Sequence, residues 1–280
     1  MPGYAYPESL VETDWVSENL DNTTVRLVEV DVDTSMYQQG HIRNAIGWNW
    51  QSQLQENLIR DVLNKDDMEI LLSTSGISND TTVVLYGDNN NWFACWAFWQ
   101  LKYYGHPDVK IMNGGRAKWE SEGRSLVQDK PTYEATTYSI QGTDEKLRAY
   151  RDQILSGLGT GSMSLVDVRS PDEFNGTLMA PANVPQEGSQ RAGHIPGAAN
   201  IPWALSTSGD GTFKPYEDLM QLYAAQHIVG DKDTVTYCRI GERSSHTWFV
   251  LTQLLGYQNV SNYDGSWTEW GSIVGAPIEK

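Results

Sequence analysis

The run Cys238-Arg239-Ile240-Gly241-Glu242-Arg243-Ser244 concentrates the reactive residue types of this chain. A thiolate is a strong nucleophile, but an ordinary thiol ionises only near pH 8.5, so it needs surroundings that favour negative charge. Arg239 and Arg243 are permanent cations at the next position and the fifth. Gly241 lets the backbone curve back on itself. Residues 234–237 precede the run as a short β-branched strand. A helix is expected from Ser244, with that serine as its N-cap. The thiol then lies between a strand end and a helix start, the edge where open α/β sheets bind ligands. Amides of a tight turn form an anion nest, and the helix end adds partial positive charge. The expected site is therefore a thiolate nucleophile at Cys238. Ile240, Gly241, Glu242 and Ser244 would bind the substrate together with Arg239 and Arg243, the two arginines neutralising its negative charge. The plainer reading is a strand-end cysteine beside two surface arginines. Both arginines falling within five positions of the thiol favours the reactive one.

The elements that must hold this loop follow from local pattern. Short runs at 25–30, 81–86, 164–168 and 234–237 read as buried parallel strands. Helical stretches at 91–104 and 244–255 alternate with them, and another helix is expected at 143–155. This alternation implies an α/β fold, with parallel sheets covered by helices on both faces. A linker is expected at 128–142, which holds Pro131 and a polar, Thr-rich run.

The chain also repeats itself. Leu27-Val28-Glu29-Val30-Asp31 matches Leu165-Val166-Asp167-Val168-Arg169. Gly40-His41-Ile42 matches Gly193-His194-Ile195, and residues 82–86 match 233–237. Val109 to Gly115 matches Val260 to Ser266, and Trp119 matches Trp270. The order is the same in both halves, so the chain holds two copies of one domain, placed at 1–135 and 141–280.

These residues resemble the tandem-domain rhodanese family, specifically thiosulfate sulfurtransferases. The likeness rests on Gly193-His194-Ile195-Pro196-Gly197-Ala198, the Asp167-Val168-Arg169 strand end and the loop from Cys238 to Arg243. It covers nearly the whole chain. It implies two rhodanese-like domains, the first lacking the cysteine. That fits the sequence: with Tyr86 set against Tyr237, Gly87 falls opposite Cys238, and Asp88-Asn89-Asn90-Asn91 replaces the charged loop. The resemblance implies that Cys238 takes the outer sulfur of thiosulfate as a persulfide and releases sulfite. Cyanide, a thiol or a protein acceptor then takes that sulfur, and no metal or organic cofactor is needed.

Other residues are weighed beside the loop. Asp167 and Arg169 either support the loop from behind or pair with each other. His41 and His194 occupy equivalent places in both copies, so a structural role is expected. His246 is expected to pack or to face solvent. Cys95, within an apolar helix, reads as core, as do Trp92, Trp96 and Trp99. Residues 171–191 form a longer segment than the first copy has. Related enzymes often place an arginine before a Phe there, whereas Glu173 precedes Phe174 here. Arg191 is a candidate replacement. A 3-mercaptopyruvate sulfurtransferase is the nearest alternative; the resemblance gives those enzymes a Cys-Gly-Ser-Gly loop. A cysteine phosphatase or arsenate reductase needs Cys-x5-Arg, one residue longer than the spacing in this loop. A sulfur carrier would use the same persulfide.

Composition sets limits. Across 280 residues, 36 Asp and Glu outweigh 20 Lys and Arg, giving a formal charge of −16. That disfavours nucleic acid and anionic membranes as partners. The longest apolar run, 92–99, is too short to span a bilayer. The N-terminal residues do not read as a signal peptide. With two cysteines and no zinc spacing, a reducing cytoplasm is expected.

Overall fold

The computed structural model describes residues 3–180 and 188–280. The expected segment 171–191 is therefore only partly within the described residues, and 181–187 lie outside them. The chain divides into two compact units. One is built from Glu8–Asp144 with Thr207–Phe213. The other is built from Glu145–Ser206 and Lys214–Lys280, together with the N-terminal segment up to Pro7.

In the first unit the strands are β1 (Leu10–Val11), β2 (Val25–Glu29), β3 (Ile46–Gly47), β4 (Gln55–Glu56), β5 (Asp61–Val62), β6 (Thr82–Tyr86) and β7 (Val109–Met112). The helices are α1 (Thr13–Glu18), α2 (Met36–Gln39), α3 (Trp50–Gln53), α4 (Lys65–Thr74), α5 (Trp92–Tyr103) and α6 (Gly115–Ser121). A parallel sheet runs in the order β1-β7-β6-β2-β3, and β4 and β5 form a small antiparallel hairpin. The second unit has α7 (Arg151–Gly157), β8 (Met163–Asp167), α8 (Pro171–Phe174), β9 (Ala199–Asn200), α9 (Tyr216–Ala224), β10 (Asp233–Tyr237), α10 (Glu242–Phe249), β11 (Val260–Tyr263) and α11 (Ser266–Trp270). Its parallel sheet runs β11-β10-β8-β9. Among the described residues, no helix is long and apolar enough to cross a membrane.

The two sheets are buried by matching side chains. Leu27, Val84, Tyr86, Met112 and Trp119 share the core of the first unit. Leu165, Val235, Tyr237, Tyr263 and Trp270 take the same places in the second. Each fully buried Leu or Val contributes roughly 1.5–3 kcal/mol, which is why near-continuous apolar strands mark buried parallel sheets. Helix α5 is buried along nearly its whole length, with Cys95, Trp96 and Trp99 in the core and Trp92 half-buried.

One local expectation is corrected. The helix expected at 143–155 is a 3-10 turn, Glu145–Leu147, followed by the shorter α7. Arg148 interrupts it by reaching to Asp264, with Nε and Nη2 at 2.9 and 2.8 Å. Residues 128–144, which lack helical pattern, run back over the first unit as a strap. Thr136 and Tyr138 N–H groups donate to the Ser73 carbonyl and hydroxyl, and Ile140 N–H donates to Glu69.

Candidate active site

Strand β10 ends at Tyr237, and the loop Cys238–Gly241 leads directly into α10. Tyr237 is fully buried, and its hydroxyl accepts the Ile195 N–H at 3.1 Å. That bond anchors the Gly193-His194-Ile195 turn beside the strand end. The loop is held from β11 and α11. Cys238 N–H donates to Ser266 Oγ at 3.0 Å, and the carbonyls of Cys238 and Arg239 accept from Trp267 and Thr268 N–H at 3.1 and 3.0 Å. The Asn262 amide donates to Gly241 O at 3.0 Å and to Ser245 Oγ at 2.9 Å. Each of these loop backbone groups therefore has a protein partner, as a buried loop requires.

The expected helix start is corrected. Helix α10 begins at Glu242, and its N-cap is Gly241, at φ 95°. A side chain rarely adopts that backbone, so glycine is the residue that lets the strand turn into the helix here. Ser244 lies inside the first turn. Its hydroxyl donates to Asn262 Oδ1 at 2.6 Å and lies 3.6 Å from Cys238 Sγ.

The surroundings of the expected thiolate pull in two directions. Sγ accepts the Gly241 N–H at 3.2 Å, as an anion nest would provide. Yet Sγ is buried, and it lies 3.1 Å from Glu242 Oε2, which also accepts the Ile240 N–H at 3.1 Å. Burial, followed by the Glu242 charge, pushes the Cys238 pKa above its ordinary value; Arg243 and the Ser244 N–H only partly oppose this. The sulfur therefore meets both influences, a backbone N–H that favours charge on it and a carboxyl oxygen within proton-transfer distance. The arginines are legible in the sequence, but which carboxylates fold back onto them is not.

Both cations are engaged by those carboxylates. Arg243 makes a bidentate pair with Glu173, Nη1 and Nη2 each at 2.9 Å, with both side chains buried. Burial works against the Glu173 carboxylate, but the Arg243 bonds outweigh it and hold its pKa below the ordinary value. Glu242 Oε1 lies 3.7 Å from Arg239 Nη2 and 3.7 Å from Arg243 Nε. Glu173 itself is fixed by a capping box with Ser170 at the start of α8. An anion that uses Arg243 must compete with Glu173.

Asp167 and Arg169 pair with each other behind the loop. Arg169 Nη2 lies 2.6 Å from Asp167 Oδ2 and donates to Gly193 O at 2.7 Å. The Arg169 guanidinium also lies 4.6 Å above the Trp267 ring, and Trp267 N–H holds the Cys238 carbonyl. Arg191 does not replace the missing arginine of the longer segment. Its guanidinium donates to the carbonyls of Trp270, Gly271, Ile273 and Ala276, tying α11 to the C-terminal segment. His41 and His194 play matching structural parts. Their Nδ1 atoms bond the Tyr37 and Phe174 carbonyls at 3.0 and 2.9 Å, and their rings stack on those same residues. His246 is buried edge-on to Trp203. Cys95 is buried, and burial alone raises its pKa well above the ordinary value.

Sequence reasoning missed Asn262 and Ser266. The internal repeat carried a signal for both: the first copy has Ile111 and Gly115 at their places, so two polar side chains replace an apolar one and none.

Comparisons with known proteins agree with this architecture. The rhodanese-like domain family matches twice, over residues 12–122 and 151–273. A protein of Saccharopolyspora erythraea named "Putative thiosulfate sulfurtransferase" is 56% identical over 272 residues, 97% of this chain and 96% of that one. The sulfur carrier protein TtuD of Thermus thermophilus is 54% identical over 281 residues, 99% of each chain. The crystal structure of YnjE superposes with a TM-score of 0.87 at 24% identity, over 99% of this chain and 69% of that one, a likeness of fold. A cysteine loop on the C-terminal edge of the second of two like α/β units defines a class of protein. The chain belongs to the rhodanese family.

Proposed function

We propose that this protein is a sulfurtransferase that carries sulfane sulfur as a persulfide on Cys238, with thiosulfate as donor. The Cys238 thiolate attacks the outer sulfur of thiosulfate. A Cys238 S–S bond forms, the donor's S–S bond breaks, and its electron pair leaves with sulfite. Cyanide or a thiol then takes the outer sulfur and returns the thiolate. Residues 141–280 form the catalytic domain, and residues 1–135 the copy without the cysteine.

The observation that carries this reading is the Gly241 N–H, 3.2 Å from the Cys238 sulfur at the turn from strand to helix. Such a donor is already oriented to stabilise charge on the sulfur it faces. Arg239, Ile240, Gly241, Glu242, Arg243 and Ser244 form the donor site, with Asp167 and Arg169 bracing it through Trp267. The name of the Saccharopolyspora relative supports the same chemistry. The name of the Thermus relative supports a second cellular use, handing the sulfur to a protein acceptor.

The test is a thiosulfate:cyanide assay run beside 3-mercaptopyruvate as donor. Thiosulfate is expected to be the better donor, since Arg239 stands where the mercaptopyruvate loop has glycine. Cys238→Ser should abolish transfer, because a hydroxyl is a far weaker acid and a far weaker nucleophile toward sulfur than a thiol. Cys95→Ser should leave most of it. Activity that survives Cys238→Ser and dies in a folded Cys95→Ser variant refutes the proposal.

A further inference from the structure

Resting on the persulfide reading, we infer that Glu242 is the base that takes the Cys238 proton and keeps it while the thiolate attacks. The geometry supplies the path. Oε2 lies 3.1 Å from Sγ, within reach for direct proton transfer. The Ile240 N–H fixes that oxygen in place. The Gly241 N–H approaches Sγ at 3.2 Å and stabilises the charge that appears on sulfur as the proton leaves.

The surrounding charges make one shared proton the balanced state. Arg239 and Arg243 flank Oε1 at 3.7 Å each. Glu173, on α8, neutralises one of them through its bidentate pair with Arg243, and Arg169 in turn acts on Glu173. The side chains that hold the loop from β11 and α11, Asn262 and Ser266, are neutral. Two cations, Glu173 and a Cys238–Glu242 pair holding one proton sum to zero. A second negative charge on that pair, beside an incoming dianion, is what the proton transfer avoids.

The step balances. The thiol and the Glu242 carboxylate become a thiolate and a carboxylic acid. The thiolate bonds the outer sulfur of thiosulfate, and the donor's S–S electron pair departs on sulfite. The Glu242 proton goes to that sulfite, leaving hydrogen sulfite, the Cys238 persulfide anion and the carboxylate. In the second half-reaction the acceptor removes the outer sulfur, and a solvent proton restores the thiol.

The test compares two pH profiles. Single-turnover sulfite release from thiosulfate reports sulfur transfer, and iodoacetamide alkylation of Cys238 reports the thiol's own ionisation. In the wild type, transfer should stay on a plateau below the alkylation midpoint, because the proton remains within the pair. Glu242→Gln should slow transfer on the order of a hundredfold at neutral pH with KM little changed. Its alkylation midpoint should move down, because the opposing charge is gone. A packing role cannot give both effects, since it does not make the thiol more acidic and less productive together. Glu242→Asp should recover part of the transfer rate. Wild-type transfer that rises with pH in parallel with alkylation overturns the inference without any variant. So does a folded Glu242→Gln variant that transfers at the wild-type rate or faster. A wild type that takes no sulfur from thiosulfate would instead refute the persulfide reading.

Discussion

The loop Gly87–Asn91 and the loop Cys238–Glu242 occupy the same place on two copies of one scaffold, and they hold it with different atoms. The frame is common. Tyr86 OH accepts Ile42 N–H at 3.0 Å as Tyr237 OH accepts Ile195 N–H at 3.1 Å. Gly87 O accepts Arg116 N–H at 2.9 Å as Cys238 O accepts Trp267 N–H at 3.1 Å. The contents differ. The first loop N–H is held by Asn91 Oδ1 at 3.0 Å, the second by Ser266 Oγ at 3.0 Å. Gly115, opposite Ser266, has no room for a side chain, since its Cβ would fall 2.5 Å from Asn91 Oδ1. The bracing arginine has also moved. In the first copy Arg116, on α6, pairs with Glu29 and donates to Gly40 O at 2.6 Å. In the second, Arg169 at the strand end pairs with Asp167 and donates to Gly193 O. Asp31 stands where Arg169 does, and Trp267 where Arg116 does.

The difference teaches that the sheet edge is generic and that a few side chains decide its charge. The first copy presents a carboxyl cluster. Asp31 is pushed up to about 9, first by burial and then by Glu29 and Asp88. A thiolate placed there would meet the Asp31, Asp88 and Glu29 carboxyl groups with Arg116 as the cation that pairs with Glu29. The second copy brings in two arginines, balances them with Glu173 and Glu242, and sets a carboxyl oxygen 3.1 Å from the sulfur.

The comparison can be broken at its charged pairs first. Arg243→Ala leaves the Glu173 charge buried and unpaired, a change that typically costs about 3–5 kcal/mol. Urea unfolding should show the loss near neutral pH. Because the Glu173 pKa is lowered in the fold from 4.5, its pairing stabilises above that value and is lost as pH falls through the lower, folded value. Wild-type and variant stabilities should therefore converge in acid. Two parallel curves would show that the pair adds nothing.

Asp31 should behave in the opposite sense. Its folded pKa lies above the unfolded one, so the folded state holds a proton that the unfolded chain gives up. Stability then falls as pH rises from about 4 towards 9. Asp31→Asn should be more stable than the wild type across that window, with a gap that widens by up to about 1.4 kcal/mol per pH unit. A constant gap in thermal or urea melts would remove Asp31 from the cluster's proton balance.

Gly87→Cys sharpens the comparison at the loops themselves. Its Cβ would fall 2.1 Å from the Val30 carbonyl oxygen, so the backbone must shift, at a cost of about 1–3 kcal/mol. The new thiol should gain no sulfur from thiosulfate. A folded variant that takes up sulfur at residue 87 would show that the shared backbone frame, rather than the side chains around the loop, is enough. Ser266→Ala, the smallest change, removes the acceptor of Cys238 N–H and should cost about 1 kcal/mol. It should also slow transfer, whereas the first copy does without a side chain at the matching Gly115.

Much of this is legible in the sequence because the repeat aligns it. Strand and helix alternation, the missing cysteine in the first copy and the matching roles of His41 and His194 all follow from setting the halves side by side. What is not legible depends on long-range pairing. Glu173 and Arg243 are 70 positions apart, and nothing local says that the residue breaking the family's arginine pattern reaches the loop arginine. The raised pKa of Cys238 follows first from burial and then from Glu242 folding back one helical turn. The N-cap differs from expectation for a local reason: Ser244 is a good capping residue, but Gly241 takes the positive φ that the turn demands.

The central claim, sulfur carried on Cys238, is tested most directly by intact-mass and peptide mass spectrometry after incubation with thiosulfate. The account predicts a gain of one sulfur atom, mapped to Cys238, lost on addition of cyanide and absent from Cys238→Ser. An unchanged mass, or added sulfur on Cys95 that persists in Cys238→Ser, would contradict it.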